Sequence, residues 1–452
     1  MERVVVLDFG SQYAHLIARR TRENHVYSEI LPYYATLDDV KKLKPKALIL
    51  SGGPSSVYDP DAPKLDPEII KWCIENDVPV LGICYGHQLL AKIFGGEVSK
   101  GAIGEYGTAE LEVLVSDPIF SSTPRKQKVW MSHRDIVTKP PRNSTILAKT
   151  RGSPIAAFKL NSLPIYGLQF HPEVKHTEHG LKIIDNFLKK IAGCKGDWRL
   201  ENYLKTVIED VKKRVGSSRV LVAASGGVDS TVTAKILLEA VGSDKVHLLV
   251  IDTGFMREGE IKEVVKSYKK MGFKYVHVID ASKRFLKALK GVKDPEEKRR
   301  LFSKTYFKVI LEYARKLEEK YGKIGYIGQG TIYPDRVETG ATGKATAKIK
   351  SHHNVVLADM LGAKLIEPIK DLYKDEVRKI GKMLGIPENI VKRHPFPGPG
   401  LLIRIIGEVN EEKLELLRKA DKIVEEEFKK SGYYDRVWQA FPVLLSDKAV
   451  GV

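Results

Sequence analysis

The sequence predicts an α/β protein made of two successive α/β units with mainly parallel sheets. Three observations predict it. At 452 residues the chain exceeds what one ordinary core supports. Short β-branched runs alternate with segments of helical period, and the alternation starts twice. Two of the strands end on glycine-bounded turns that lead straight into helices, near residues 82–86 and 224–228.

The first series opens on a strand at 3–8 (RVVVLD). It continues with a helix over 12–23, a strand at 46–50, a helix over 65–76, a strand at 78–83 and a helix over 86–95. Runs at 110–115, 155–160 and 165–170 read as further strands before a closing helix over 178–191, and AGCKGDW (192–198) reads as a linker. The second series starts at SRVLVAASGGVDSTVTAKILLEAV (218–241), with further strands at 246–251, 275–279 and 325–328. TGATGKATAKIKSHHN (339–354) lacks an apolar period and reads as a disordered connector or a mobile lid. The expected domains are 1–193, 194–400 and 401–452.

Composition narrows the function classes. A hydrophobic fraction of 43% with 29% charged residues is that of a soluble globular protein. No apolar run spans a membrane, and the chain begins directly on a strand, so no membrane partner or signal peptide is expected. Cys73, Cys84 and Cys194 are widely separated, form neither a metal motif nor a disulfide framework, and fit a reducing cytoplasm. Of the net charge of +18, residues 1–195 carry +5 and residues 196–452 carry +13. A polyanionic ligand is therefore expected in the second half; nucleotide phosphates, RNA or a solvated basic surface all account for the charge.

In VLGICYGHQLL (80–90) an apolar strand ends on a cysteine held between glycines, and a helix follows. A lone cysteine at a strand end is commonly a packed core residue. The same pattern also describes a nucleophile elbow, where small neighbours permit a sharp turn and the helix N-terminus favours a thiolate. Further on, IYGLQFHPEV reads as a strand that delivers His171-Pro172-Glu173. In extended chain, residues two apart share a side, so Glu173 is expected to orient His171 and His171 to take the thiol proton of Cys84. LILSGGPSSVYD (48–59) is another strand ending in glycines; the N–H groups of Gly53 and Tyr85 are candidate oxyanion donors. SGGP, GICYGHQ and HPE together resemble the class I glutamine amidotransferases over roughly residues 1–191. The resemblance implies that Cys84 attacks the glutamine side-chain amide and that Gln88 and MSHRD (Met131–Asp135) hold the glutamine.

The second glycine loop, Ser225-Gly226-Gly227-Val228-Asp229-Ser230-Thr231, lies between a strand and a helix N-terminus, a nest of N–H donors suited to phosphate. It lacks the lysine of a P-loop; Asp229 instead suits a Mg²⁺ ligand beside ATP. SGGVDS in this setting resembles the ATP-pyrophosphatase superfamily, whose members (the adenine-nucleotide α-hydrolase-like fold) cleave ATP between the α and β phosphates. An ammonia source beside an adenylating unit implies amination of an activated carbonyl.

The segments IDTGFMREGE (251–260), ALKGVKDPEEKRR (288–300), IGQGTIYPD (327–335), KSHHN (350–354) and HPFPGPGLLIR (394–404), in this order, closely resemble the glutamine-hydrolysing GMP synthases. That resemblance implies ATP-dependent adenylation of xanthosine monophosphate (XMP) followed by displacement of AMP by ammonia. It implies XMP contacts from Arg299, Gly398 and Gly400; HPFPGPG read alone is equally a tight structural crossover, and KRR a solvated helix face. Lys350, His352, His353 and Asn354 are expected on a closing lid. Lys370, Asp371 and Lys374 match residues tied to that lid, and also read as an ordinary polar first turn of a helix.

The family continues past this chain's last residue through a β-rich region that forms a dimer interface, so residues 401–452 are expected to be the start of a truncated dimerisation region and a homodimer to need the rest. Arg134 stands in MSHRD where many relatives carry a small residue. The rival enzyme reading is another glutamine-dependent ATP-pyrophosphatase such as an NAD synthetase, against which HPFPGPG argues. A nucleic-acid-binding reading draws on the basic second half, but no CxxC pair or RNA-binding motif supports it, and no nucleic-acid partner is expected.

Overall fold

The computed structural model describes residues 1–341 and 356–446. The chain divides into two compact units, Met1–Arg199 and Leu200–Val452.

The first unit is built on a nine-stranded mixed sheet. Its strands are β1 (Arg3–Asp8), β2 (Tyr27–Pro32), β3 (Ala47–Leu50), β4 (Val80–Ile83), β5 (Glu97–Val113), β6 (Lys126–Lys139), β7 (Ser144–Lys149), β8 (Ala157–Leu160) and β9 (Ile165–Leu168), in the order β2-β1-β3-β4-β9-β8-β7-β5-β6. The five strands from β2 to β9 pair in parallel, and the remaining four join antiparallel. β3, β4 and β9 are buried throughout, as continuous apolar runs between helical layers require. The helix Pro67–Glu75 starts on a proline after an Asp66 cap and buries Ile69, Ile70 and Cys73 against the core.

Three strands of this unit, β2, β6 and β7, escape the sequence reading. β2 (YSEILP) lies at the sheet edge, is short, and ends on a proline. β6 (KQKVWMSHRDIVTK) alternates buried and exposed positions over much of its length, but its outward lysines, serine and arginine mask the period of two. The segment read as a linker ends on a buried residue: Trp198 packs at a tilt against Tyr27 with ring centroids 4.9 Å apart, lies under Arg22, and its backbone N–H donates to the carbonyl of His25.

The second unit holds an all-parallel sheet of β10 (Arg219–Ala223), β11 (Val246–Asp252), β12 (Tyr275–Asp280), β13 (Ile324–Gly328) and β14 (Lys364–Ile366), in the order β12-β11-β10-β13-β14. Successive strands run outward from β10 to β12, and the chain then returns to β13 on the other side of β10. The crevice beyond the carboxyl ends of β10 and β13 is thus a topological switch point, the position where open α/β sheets bind ligands. The 27-residue helix Pro295–Tyr321 crosses between the two halves. Leu401, Leu402, Ile405, Leu414 and Leu417 share the hydrophobic core of Leu249, Phe255 and Val309, so the chain after residue 400 packs into this unit.

Candidate active sites

The first site follows from strand order. β4 and β9 are hydrogen-bonded neighbours, with Ile83 opposite Leu168, so the residues that leave their carboxyl ends emerge side by side. Cys84 leaves β4 and donates its N–H to Leu168 O at 2.8 Å. Its φ of +53° and ψ of −103° are strained for an L residue, and the helix Tyr85–Ile93 starts immediately after it. The flanking glycines permit this turn: a Cβ on Gly82 would lie 2.4 Å from Gly86 O, and one on Gly86 would lie 2.6 Å from Leu50 O.

His171 directly follows the short loop Gln169–Phe170, because β9 ends at Leu168 rather than running to Phe170. The His-Pro-Glu segment is therefore a turn, not the extended chain read from the sequence, and the turn brings the two side chains together. His171 Nδ1 lies 2.7 Å from Glu173 Oε1. The His171 N–H donates to Trp130 O at 2.9 Å and Thr177 Oγ1 donates to His171 O at 2.6 Å. Tyr13 meets the imidazole edge-on at 5.3 Å. Burial disfavours the imidazolium, but the Glu173 carboxylate and Cys84 more than offset it and hold the His171 pKa well above the ordinary histidine value. His87, from the same GICYGHQ stretch, is the opposite case: burial pushes its pKa down to about 3, and the ring packs on Phe158.

Cys84, His171, Gly53, Tyr85 and Gln88 all line one cavity of about 660 Å³. Cys84 Sγ lies 3.8 Å from Ser132 O on β6. Gln88 Nε2 donates to Asp135 O at 2.7 Å, which pins the MSHRD segment to the elbow helix. The cavity also gathers Gly10, Ser11 and Tyr13 from the turn after β1, which the sequence reading missed. The signal was present in the apolar strand running into DFGSQY.

The second site forms at the switch point. β10 leads into Ala224-Ser225-Gly226-Gly227, and the helix Val228–Val241 follows. Gly226 has φ +76°, and a Cβ there would lie 2.4 Å from Val264 Cγ2, so the position admits only glycine. The hydroxyls of Ser225 and Ser230 are 3.2 Å apart. Thr231 is buried, and its hydroxyl bonds Gly227 O and Tyr268 OH, which fixes the loop from behind. Asp229 Oδ2 lies 2.5 Å from Lys374 Nζ, while its Oδ1 is buried without a hydrogen-bond partner. Arg393 donates to Gly226 O at 3.4 Å and pairs with the buried Glu260. Neither Arg393 nor Glu260 was singled out from the sequence, although Arg393 directly precedes HPFPGPG.

The other expected residues are dispersed. Arg299 sits on the helix Pro295–Tyr321, 54% exposed, paired with Glu296 at 3.0 Å. Gly400 has φ +63°, and a Cβ there would lie 2.2 Å from Phe255 O, so the fold itself requires this glycine; a Cβ on Gly398 would meet open space. Asp371 pairs with Arg336 at 3.4 Å, and Lys370 is exposed. Lys350, His352, His353 and Asn354 lie outside the described residues. Among the described residues no group of three or more His, Cys, Asp or Glu is arranged to hold a metal ion, and no helix is long and apolar enough to cross a membrane.

Comparisons with known proteins agree with this division. The class-I glutamine amidotransferase profile matches residues 5–191, and the NAD synthase profile matches residues 200–317. The chain is 49% identical to the glutamine-hydrolysing GMP synthase of Thermosipho melanesiensis, over 100% of this chain and 87% of that protein. It is 49% identical to the one from Pyrobaculum aerophilum with the same coverage, and 48% identical to the one from Aquifex aeolicus over 99% of this chain and 86% of that protein. The NAD synthase match stops within the helix Pro295–Tyr321, whereas the identity to these enzymes runs through both units, so the chain belongs to the glutamine-hydrolysing GMP synthase family.

Proposed function

We propose that the two sites divide one amination between them, with residues assigned as follows. Cys84 Sγ attacks the side-chain amide carbon of glutamine. His171 takes the thiol proton and returns it to the leaving nitrogen, so that ammonia departs and a glutamyl thioester remains; water then releases glutamate. Glu173 orients His171 and stabilises its imidazolium, and the N–H groups of Gly53 and Tyr85 face the developing oxyanion. Gln88 shapes the glutamine pocket through its hold on the Asp135 carbonyl. The observation that carries this reading is the strained Cys84 turn on β4 beside the His171–Glu173 pair that follows β9, within one cavity.

In the second unit, residues 225–231 hold the phosphates of ATP. Mg²⁺ usually binds through one or two carboxylates together with substrate phosphates, and the unpartnered Oδ1 of Asp229 fits that use. Bound there, the ion would neutralise phosphate charge. The O2 of XMP is adenylated with loss of pyrophosphate, and ammonia then displaces AMP to give GMP. We assign XMP contacts to Arg299, Gly398 and Gly400, with Gly400 also fixed by packing. Lys374 holds Asp229 in place, and Lys370 and Asp371 are assigned to the lid together with Lys350, His352, His353 and Asn354, which lie outside the described residues. The functional boundaries follow as 1–193, 194–400 and 401–452. We further propose a homodimer, a cytoplasmic location in keeping with three free thiols, and no nucleic-acid partner.

Incubation with glutamine, ATP, Mg²⁺ and XMP, reading AMP and GMP by mass spectrometry, tests the scheme. GMP forms in equimolar amount with AMP; Cys84→Ala abolishes the glutamine-driven product and free ammonium restores it. Glutamine-driven GMP from the Cys84→Ala protein would overturn the assignment.

A further inference from the structure

Acyl transfer uses only the deep end of the Cys84 cavity. The same cavity is lined by three formal charges that the chemistry does not need: Arg134, Asp135 and Asp59. Asp59 closes its own turn by accepting the Ser56 N–H at 2.8 Å. Asp135 is half-buried at the end of the segment pinned by Gln88. Arg134 is exposed and makes no ion pair among the described residues. Its guanidinium is always charged and presents a planar fork of donors that matches a carboxylate.

β6 supplies a ruler. Met131 and His133 are buried, while Ser132 and Arg134 alternate with them on the opposite, exposed face. Ser132 O lies 3.8 Å from Cys84 Sγ. Arg134 is two residues on, a displacement of about 6.6 Å along a strand. That displacement is comparable with the four-bond span of glutamine from its side-chain amide carbon to its α-carboxyl carbon. A glutamine whose amide meets Cys84 must extend toward solvent, where Arg134 stands; the cavity's carboxylates leave the α-ammonium a partner as well.

We propose that Arg134 binds the α-carboxylate of glutamine and sets the preference of this site for an α-amino acid over a simple amide. The proposal rests on the reading of Cys84 as the thiol that attacks glutamine, and it names the group that recognises the substrate's other end.

Three amides separate the contributions: glutamine, glutaramate (which lacks the α-amino group) and 4-aminobutanamide (which lacks the α-carboxylate). With ATP and XMP saturating, the carboxylic products are measured by mass spectrometry for wild type, Arg134→Met and Arg134→Lys, with Cys84→Ala as control. A charged hydrogen-bonded contact is worth about 10- to 100-fold in KM. Arg134→Met is expected to raise KM by that factor for glutamine and for glutaramate, with kcat for glutamine changed by less than about threefold. Its kcat/KM for 4-aminobutanamide is expected to stay near wild type, and Arg134→Lys to recover part of the loss. An unchanged KM for glutamine, or equal losses on all three amides, overturns the proposal. Cys84-independent hydrolysis by the wild type would instead remove the reading on which it stands, and the control identifies that case.

Discussion

Nδ1 of His171 and Oε1 of Glu173 lie 2.7 Å apart, and the Glu173 carboxylate is fully buried with Oε2 left without a hydrogen-bond partner. A buried carboxylate with half its acceptor capacity unspent is a strong local charge. It contributes most among the groups that offset the burial of the imidazole.

Glu173→Gln removes that charge while burial continues to disfavour the imidazolium, so the His171 pKa falls from its raised position. ¹⁵N-edited titration of His171 reads the shift directly, and glutamine-driven turnover drops by about 10²-fold or more. The sign for stability follows from linkage. A histidine whose folded pKa is raised stabilises the fold fully below its unfolded value of about 6.5, and the contribution is lost as pH rises through the folded pKa. Wild type should therefore gain stability relative to Glu173→Gln on acidification through that window. A His171 pKa unmoved by the substitution contradicts this account.

The three thiols should separate by reactivity. Burial pushes the pKa of Cys73 up to about 12 and that of Cys194 up to about 11, which leaves both protonated and inert at pH 8. Cys84 lines an open cavity at a helix N-terminus. Peptide mapping after brief iodoacetamide treatment is expected to find label on Cys84 alone, and glutamine to slow it; early label on Cys73 would count against this.

Lys374 and Asp229 meet at 2.5 Å although they are far apart in sequence. Replacing Lys374 by Met leaves the Asp229 carboxylate without its cation, and XMP-dependent pyrophosphate release should slow by about tenfold or more. Asp229→Asn and Lys374→Met should be non-additive in a double-mutant cycle, because each removes the same pair. Strict additivity would show that the pair does not act as a unit.

The two glycines assigned to XMP should differ in stability. Gly400→Ala must place a methyl group 2.2 Å from Phe255 O at φ +63°, whereas Gly398→Ala enters open space. The first should destabilise by about 1–3 kcal/mol and the second by no more than about 0.5 kcal/mol. Urea unfolding followed through Trp438 in the second unit distinguishes them, and equal midpoints would refute the contrast.

Arg404 and Asp421 form a buried pair at 2.8 Å, each 3% exposed, and Arg257 also reaches Asp421. Arg404→Met strands a buried carboxylate and should cost about 3 kcal/mol, less whatever Arg257 still supplies. Lys419→Met breaks an exposed pair with Glu415 and should cost about 0.5 kcal/mol or less. Comparable urea midpoints for the two variants would argue against a structural role for the buried pair.

The sequence by itself determined the two α/β units, the glycine-bounded turns at Cys84 and at residues 225–230, and the identity of the motif residues. These are local: apolar runs, helical period and glycine spacing report the backbone of their own segment. What only the tertiary structure decided depends on which strands become neighbours. β4 beside β9 brings Cys84 and His171 to one cavity, and a turn rather than an extended strand brings Glu173 onto His171. Packing in the second unit brings Lys374 to Asp229 and Arg393 to Gly226. It also presses Gly400 against Phe255 and leaves Gly398 in the open. No local period encodes these meetings, because each depends on a strand order and a close approach set by residues distant along the chain.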